Sequence, residues 1–364
     1  MNVGLFTYDF YPIIGGQGRV VYELYQQNEI QQKINLLIFS PARNNLHHHV
    51  TLFEETHHDR LRNIGFSLKV NPSLQALIDT YHLDIAHFQS GPGGLFLLRR
   101  LPIPTIFTCH HTYWQQSHYV SGQKWKMLFY LLERAGYSKA SAIICDSPST
   151  RAVIASKYRL HHVDSQVIPL GIHWRHAPRP VPETKKDRAV LFVGRIDQRK
   201  GLDFLISAFA VLAKSAPDIR LHVVGEGKDR AKLQDYCARH GWNVIFHGYL
   251  SDQAVADLAQ GVSAQIIPSV FEGFGLVVLE AIAKGLPVIA TNVDGIRDMI
   301  TDGTHGLLVN YGDTQGLAQK IQALLADPDL ARRLVKNAYP VLENYTWENT
   351  YAQTIQAYER VLSA

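Results

Sequence analysis

A recurring change of period limits the folds open to this chain more than any other feature. Short β-branched runs at residues 190–193, 221–224, 244–246, 265–267, 288–290 and 307–309 alternate with stretches whose apolar residues return at helical spacing. Strand, helix, strand repetition predicts a parallel sheet covered on both faces. The first half repeats the pattern less regularly, at 3–7, 35–39, 85–88, 105–108 and 143–145. A chain of 364 residues is too long for one comfortable core. The expected fold is therefore α/β, two doubly wound parallel-sheet domains with a cleft between them.

Residues 169–182 hold four prolines and little periodicity, and a charged stretch follows at 183–188. This reads as an exposed connection, with the boundary inside 170–186. The expected division is 1–170, 171–346 and a last amphipathic helix over 347–364. With no strand after it, that helix either packs back across the junction or stands as a simple terminal helix.

Composition removes several classes of function. With 46% hydrophobic and 19% charged residues the chain is an ordinary globular protein rather than a disordered one. Cys109, Cys145 and Cys237 are widely separated in apolar segments, which indicates buried thiols and neither a disulfide framework nor a zinc site. The first residues lack a basic region and a cleavage site, and no run of 18 apolar residues occurs, so a cytoplasmic location is expected. Net charge is +4, and residues 1–170 hold the whole excess, with 15 Lys and Arg against 11 Asp and Glu. Over residues 91–163 the count sharpens to nine against two, which suggests a surface that meets something anionic.

Ligands of open α/β sheets sit beyond the carboxyl ends of the strands, and four such places carry chemistry. Gly15-Gly16-Gln17-Gly18-Arg19 follows the first strand, where glycines let backbone N–H groups approach a phosphate or sugar. It is not a full dinucleotide fingerprint, since Val21 stands where the third glycine would be, and this disfavours an NAD-dependent dehydrogenase. Residues 193–203 run from a buried strand into a loop bearing Arg195, Arg199 and Lys200. Arg195 at the strand end and Lys200 suit a diphosphate, while Arg199 is readily explained as solvated. Residues 268–281 place Glu272 in a loop, Gly273 and Gly275 at a helix start, and Glu280 on a mostly apolar helix. A carboxylate turned toward a core needs a partner, and ribose hydroxyls would serve Glu280. Finally, His110 and His111 end a strand without a third ligand at metal spacing, which favours hydrogen bonding to substrate over metal. His47-His48-His49 and His57-His58 fall in a polar, irregular stretch and read as a solvated loop.

Taken together, the Gly-rich first turn, Ile168-Pro169-Leu170-Gly171-Ile172, Gly194-Arg195 to Lys200-Gly201, Val224-Gly225-Glu226-Gly227, Phe246-His247-Gly248-Tyr249 and the EX7E pattern Glu272 to Glu280 resemble the family 4 glycosyltransferases. The resemblance covers nearly the whole chain, and Trp347-Glu348 looks like the opening of the family's last helix. It implies a GT-B pair of Rossmann-like domains and transfer of a hexose-type sugar, with retention, from a UDP- or GDP-sugar. The acceptor would be a glycolipid, a polysaccharide precursor of the cell envelope or another hydroxyl compound. By analogy Arg195 and Lys200 hold the diphosphate, Gly16 lies near it, and Glu280 holds the ribose. Glu272 with the segment Gly273, Phe274, Gly275 and Leu276 holds the donor sugar, the backbone at Tyr249 lies near the base, and His110 contacts the sugar, with His111 as the alternative. No cofactor, metal or nucleic acid is expected. The competing readings are a catalytically silent nucleotide-sugar-binding protein and a nucleotide-sugar epimerase of the same architecture.

The basic segment interleaves Arg99, Arg100, Lys124, Lys126, Arg134 and Lys139 with Trp114, Tyr119, Trp125 and Tyr130. That pairing suits an anionic headgroup layer and predicts peripheral docking on the inner face of the plasma membrane. A solvated face or an anionic soluble acceptor would explain the same charges.

Overall fold

The computed structural model describes residues 1–11, 13, 15–41, 46–52, 62–90, 96–174 and 188–364. They form two compact units: Met1–His118, Gly122–Gly171 and Tyr345–Ala364 in the first, Tyr119–Ser121 and Ile172–Asn344 in the second. Most of the proline-rich connection lies outside the described residues, as do His57 and His58.

The first unit is built on a sheet of seven strands: β1 (Asn2–Phe6), β2 (Asn35–Ser40), β3 (His49–Thr51), β4 (Ile85–Ser90), β5 (Thr105–Cys109), β6 (Ala142–Cys145) and β7 (Asp164–Val167). Their order is β3-β2-β1-β4-β5-β6-β7, and every neighbouring pair is parallel. The helices between them are α1 (Gly16–Gln31), α2 (Arg62–Val70), α3 (Leu74–Tyr81), α4 (Tyr113–Tyr119), α5 (Met127–Tyr137) and α6 (Pro148–Ser156). The second unit carries β8 (Ala189–Val193), β9 (Arg220–Val224), β10 (Val244–Gly248), β11 (Ala264–Ile267), β12 (Val288–Thr291) and β13 (Leu307–Val309) in the order β10-β9-β8-β11-β12-β13, again all parallel. Its helices are α7 (Leu202–Ser215), α8 (Arg230–Arg239), α9 (Asp252–Gln260), α10 (Leu276–Ala283), α11 (Thr314–Ala326) and α12 (Pro328–Ala338). The two doubly wound sheets expected from the alternating periods are present. Central strands such as β8 and β11 are buried along nearly their whole length, as strands covered on both faces must be.

Two strands escaped the sequence reading. Both β3 and β7 are short, polar and at sheet edges, where only one side is paired and little apolar surface is needed. The solvated-loop reading of His49 is thereby corrected: it opens β3, bonds Ser40 Oγ through Nε2 at 2.9 Å and stacks on Phe10. His47 and His48 are exposed in the turn before it.

The last helix, α13 (Trp347–Ser363), belongs to the first unit. Thr346 caps its start by accepting from Asn349 N. Its buried face docks through three polar contacts: Thr350 Oγ1 donates to Pro169 O at 2.8 Å, Tyr351 OH donates to Asn28 Oδ1 at 2.7 Å, and Tyr358 OH meets His87 Nδ1 at 2.7 Å. Trp347 lies so close to the chain at Gly171 that a Cβ there would come within 2.2 Å of its nitrogen, which only glycine avoids. His87 is fully enclosed, with Nε2 on Thr108 Oγ1, and burial next to His110 pulls its imidazole down to about 3.

Candidate functional site

Each sheet reverses its strand order once, between β1 and β4 and between β8 and β11. Loops leaving the carboxyl ends of strands at such a reversal diverge and leave space for a ligand. Gly16, Arg195, Lys200 and Glu272 follow β1, β8 and β11 at those reversals, whereas His110 follows β5, Tyr249 follows β10 and Glu280 lies within α10.

In the second unit the loop after β8 is shaped by Asp197, whose Oδ1 accepts from the backbone N–H groups of Arg199 and Lys200 at 3.1 and 3.2 Å. Gly201 ends the turn at φ 67°, and a Cβ there would stand 2.0 Å from Pro268 O, so the loop lies directly against the one after β11. Val270 N donates to Arg199 O at 2.8 Å and ties the two together. Side chains then converge on one carboxylate. Lys200 Nζ and Ser269 Oγ donate to Glu272 Oε1 at 2.6 and 2.7 Å, and Arg199 Nη1 donates to Oε2 at 3.2 Å. Burial alone would raise the Glu272 carboxyl, but Lys200 and Arg199 outweigh it and hold it at about 2. The same burial lowers Lys200 while Glu272 opposes it, and the pair is ionic. Gly273 and the buried Phe274 follow, and Gly275 at φ 100° turns the chain into α10, which starts at Leu276.

The structure thus brings Lys200 and Glu272 together and adds two partners that the sequence reading passed over, Arg199 and Ser269. Arg195 stands outside the cluster. Its side chain is 66% exposed and only 3.6 Å from Asp197, the reverse of the expected ranking against Arg199. The buried placement expected of Glu280 is also corrected: α10 buries Val278, Leu279, Ala281 and Ile282 and leaves Glu280 exposed. Among the described residues its carboxylate has no side-chain partner, and an unpaired charge stays in water. Tyr249, after β10, is 81% exposed.

In the first unit, Gly16 opens α1 and is exposed, while Gly18 N donates to Asp9 Oδ2 at 3.2 Å. A Cβ at Gly18 would meet that carboxylate at 2.6 Å, so this glycine is required for the contact. His110 stands just beyond β5. Its Nδ1 lies 2.7 Å from Asp146 Oδ2, just beyond β6, and its Nε2 lies 2.7 Å from the side-chain amide of Gln89, near the end of β4. His111 instead faces Gln116 Nε2 at 3.2 Å. The segment after the histidines is anchored by Glu133 of α5, whose buried Oε2 accepts from Tyr113 N at 3.0 Å and from the Tyr158 hydroxyl. Tyr137 OH donates to its other oxygen at 3.3 Å. No cation touches this carboxylate among the described residues, and burial pushes it up to about 7 against those three hydrogen bonds. Among the described residues no three His, Cys, Asp or Glu side chains come together in a way that could hold a metal.

Sequence comparison gives two family models that together cover most of the chain. One, described as Glycosyltransferase Family 4, matches residues 14–174, and the other, described as Glycosyl transferases group 1, matches residues 176–341. An uncharacterized glycosyltransferase of Methanocaldococcus jannaschii is 24% identical over 97% of this chain and 96% of its own length. A phosphatidyl-myo-inositol mannosyltransferase of Mycolicibacterium smegmatis is 31% identical over 55% of this chain, a match that spans about half (53%) of that protein. The solved structure of a sucrose-phosphate synthase from Thermosynechococcus elongatus superposes with a TM-score of 0.85 at 23% identity, covering 100% of this chain and 99% of that one.

Proposed function

Since the chain belongs to the family 4 glycosyltransferases, we propose that it moves a hexose-type sugar from a UDP- or GDP-sugar to a lipid-linked or polysaccharide-precursor acceptor with retention of configuration. The observation that carries this reading is the Lys200, Arg199 and Glu272 cluster beside the glycine-lined start of α10. Fixed cations next to a helix start suit a diphosphate, and a carboxylate already aligned by them suits sugar hydroxyls. Lys200 and Arg195 take the departing diphosphate, Glu272 and the backbone of Phe274 and Gly275 the sugar, Glu280 the ribose, Tyr249 the base by its backbone, and Gly16 and His110 complete the donor contacts. The acceptor oxygen attacks the anomeric carbon on the face from which the diphosphate leaves, and a donor phosphate oxygen takes the acceptor proton. The protein contributes position and charge stabilisation, which supply most of such a barrier reduction. A thermal-shift panel of UDP- and GDP-sugars tests the reading, since binding to the native state adds about 2.7 kcal/mol at a hundredfold excess over Kd. The reading fails if no nucleotide sugar shifts the melt and none is turned over. Turnover is expected to persist in excess EDTA, and loss of activity restored by Mg²⁺ or Mn²⁺ would overturn the metal-independent chemistry.

A lipid-linked acceptor is favoured by one surface of the first unit. Trp125, Leu128 and Leu131 are 59%, 66% and 56% exposed on the outer side of α5 and the turn before it, and Leu132 adds to them. Leu128, Leu131 and Leu132 share a helix face at spacings of three and four. Lys124 is exposed beside them, and the only two acidic residues of 91–163, Glu133 and Asp146, are buried, so the outward charge of its described part is basic. An apolar stripe rimmed by basic residues is the pattern of a helix lying in a headgroup layer. No helix among the described residues is long and apolar enough to cross a membrane. The protein is expected to float with phosphatidylglycerol vesicles at low salt and to detach partly at 1 M salt, where the screening length falls to about 3 Å. If it ignores such vesicles at low salt, a soluble anionic acceptor replaces the lipid.

A further inference from the structure

The ends of three adjacent strands meet at one imidazole. Gln89 and Asp146 are almost completely buried, at 0% and 2% exposure, and each gives one polar atom to His110. The other atom of each, Gln89 Nε2 and Asp146 Oδ1, is buried with no hydrogen-bond partner among the described residues. A buried polar atom without a partner is costly, so an arrangement that leaves such atoms on the residues flanking one ring is not one that folding alone favours. Such arrangements persist where they hold something in place.

We infer that Asp146 and Gln89 are positioning residues that lock the ring orientation and tautomer of His110. The carboxylate can only accept, so Nδ1 carries the hydrogen that points at Asp146 Oδ2. Nε2 then carries no hydrogen and can only accept, so the Gln89 amide turns its NH2 group, rather than its oxygen, toward the ring, which gives Gln89 Nε2 the acceptor it otherwise lacks. A half-turn of the ring would put carbon atoms opposite both partners. Both neighbours lie on strand ends rather than on free loops, with β4 and β6 paired to β5 residue by residue up to Ser90, Cys109 and Cys145. The ring is thereby tied to the rigid part of the unit, and it keeps 11% of its side chain open. His110 contacts substrate only on the transferase reading above, so the effect on turnover rests on that reading, while the effect on the ring does not.

The experiment uses the full chain labelled with ¹⁵N-histidine, with the His110 ring signals assigned by their loss in His110→Asn. In the unsubstituted protein Nδ1 is expected to be the protonated nitrogen and its hydrogen to exchange slowly. Asp146→Ala should give a mixed tautomer and fast exchange, Gln89→Ala should free the ring to flip, and Asp146→Asn, which keeps an acceptor oxygen, should retain part of the pattern. With a responding nucleotide sugar, Asp146→Ala should lower kcat about tenfold to a hundredfold with donor KM within about twofold, because a misdirected group costs rate more than binding. A folded Asp146→Ala protein with an unchanged Nδ1 signal overturns the proposal, as does a fall in kcat without any change at the ring. Altered ring signals in a protein that turns over no nucleotide sugar would leave the positioning role intact and remove the transferase reading instead.

Discussion

Glu133 and Glu272 are both buried carboxylates, one in each unit, yet they end on opposite sides of the ordinary carboxylate value. Glu272 is met by Lys200 and Arg199 and sits at about 2, whereas Glu133, among the described residues, is met by two tyrosine hydroxyls and a backbone N–H and rises to about 7. Desolvation acts on both, and what separates them is the presence of cations. Three neutral hydrogen bonds satisfy the geometry of a carboxylate without offsetting the loss of water. The consequence is functional as well as energetic. Glu272 is a fixed anion with fixed cations around it, ready for a polar ligand, and Glu133 is an internal clamp on the segment that follows His110.

Removing the cation should break this contrast most severely. Lys200→Ala leaves Glu272 buried beside Arg199 alone, and breaking a buried pair in this way costs about 3–5 kcal/mol. Urea melts should show it, and turnover should fall together with stability. Next in size is a matched pair of neutral replacements. Glu272→Gln should cost about 2–4 kcal/mol because two cations lose their anion, while Glu133→Gln at pH 8 should not destabilise and should if anything stabilise, because no cation is lost and a buried carboxylate ionised above its raised value is removed. Equal effects from the two would show that the cations are not what distinguishes the sites.

The pH dependence sharpens the comparison further. Glu133 is raised above its unfolded value, so its stabilisation is present below about 4.5 and is lost as pH rises through about 7. Glu272 is lowered, so its stabilisation is present above about 4.5 and is lost as pH falls through about 2. His87, held neutral down to about 3, adds an acid-side loss to the first unit as pH falls from about 6.5. The Glu133 loss and the His87 gain oppose each other between about pH 5 and 6.5, so hydrogen exchange of β4 amides, corrected for the intrinsic rate, should change little there, and Glu133→Gln should uncover the His87 contribution as slower exchange with rising pH, by at most about 1.4 kcal/mol per pH unit. Amides of β11 should show no such dependence over this range. The smallest stability effect is expected at Arg195, where Arg195→Ala should stay within about 0.5 kcal/mol because the side chain lies in solvent. Its turnover should nonetheless fall about tenfold to a thousandfold if it meets the diphosphate. Normal turnover would hand that role to Arg199.

What could be read from the sequence follows from how far apart the interacting residues stand. The central strands were legible because a strand buried on both faces writes its state into its own residues, as in Val190-Leu191-Phe192-Val193. β3 and β7 were not, since an edge strand owes its state to a neighbour. The loops bearing Lys200 and Glu272 were visible as charges and glycines at strand ends, but nothing local says that residues 72 positions apart share a hydrogen bond. The same holds for Asp146 and Gln89, at 36 and 21 positions from His110. Arg199 was passed over because a cation six residues beyond the strand end looks solvated until the loop is seen to fold back through Asp197 and Gly201. The exposure of Glu280 depends on the rotation of α10 about its axis, which an almost wholly apolar helix does not reveal.

The return of α13 to the first unit makes the order of synthesis matter. That unit is assembled from the beginning of the chain and from residues 345–364, with the whole second unit encoded in between. On a ribosome the second unit can therefore finish folding first, although its residues emerge later than most of the first unit's. Until α13 emerges, the face of α1 bearing Asn28 and the enclosed His87 lack their cover, and a nascent first unit must wait with apolar surface open. A stop codon near residue 345 would spare the later-made unit and leave the earlier one incomplete, so a truncated chain should be cleared by proteases from its amino-terminal side.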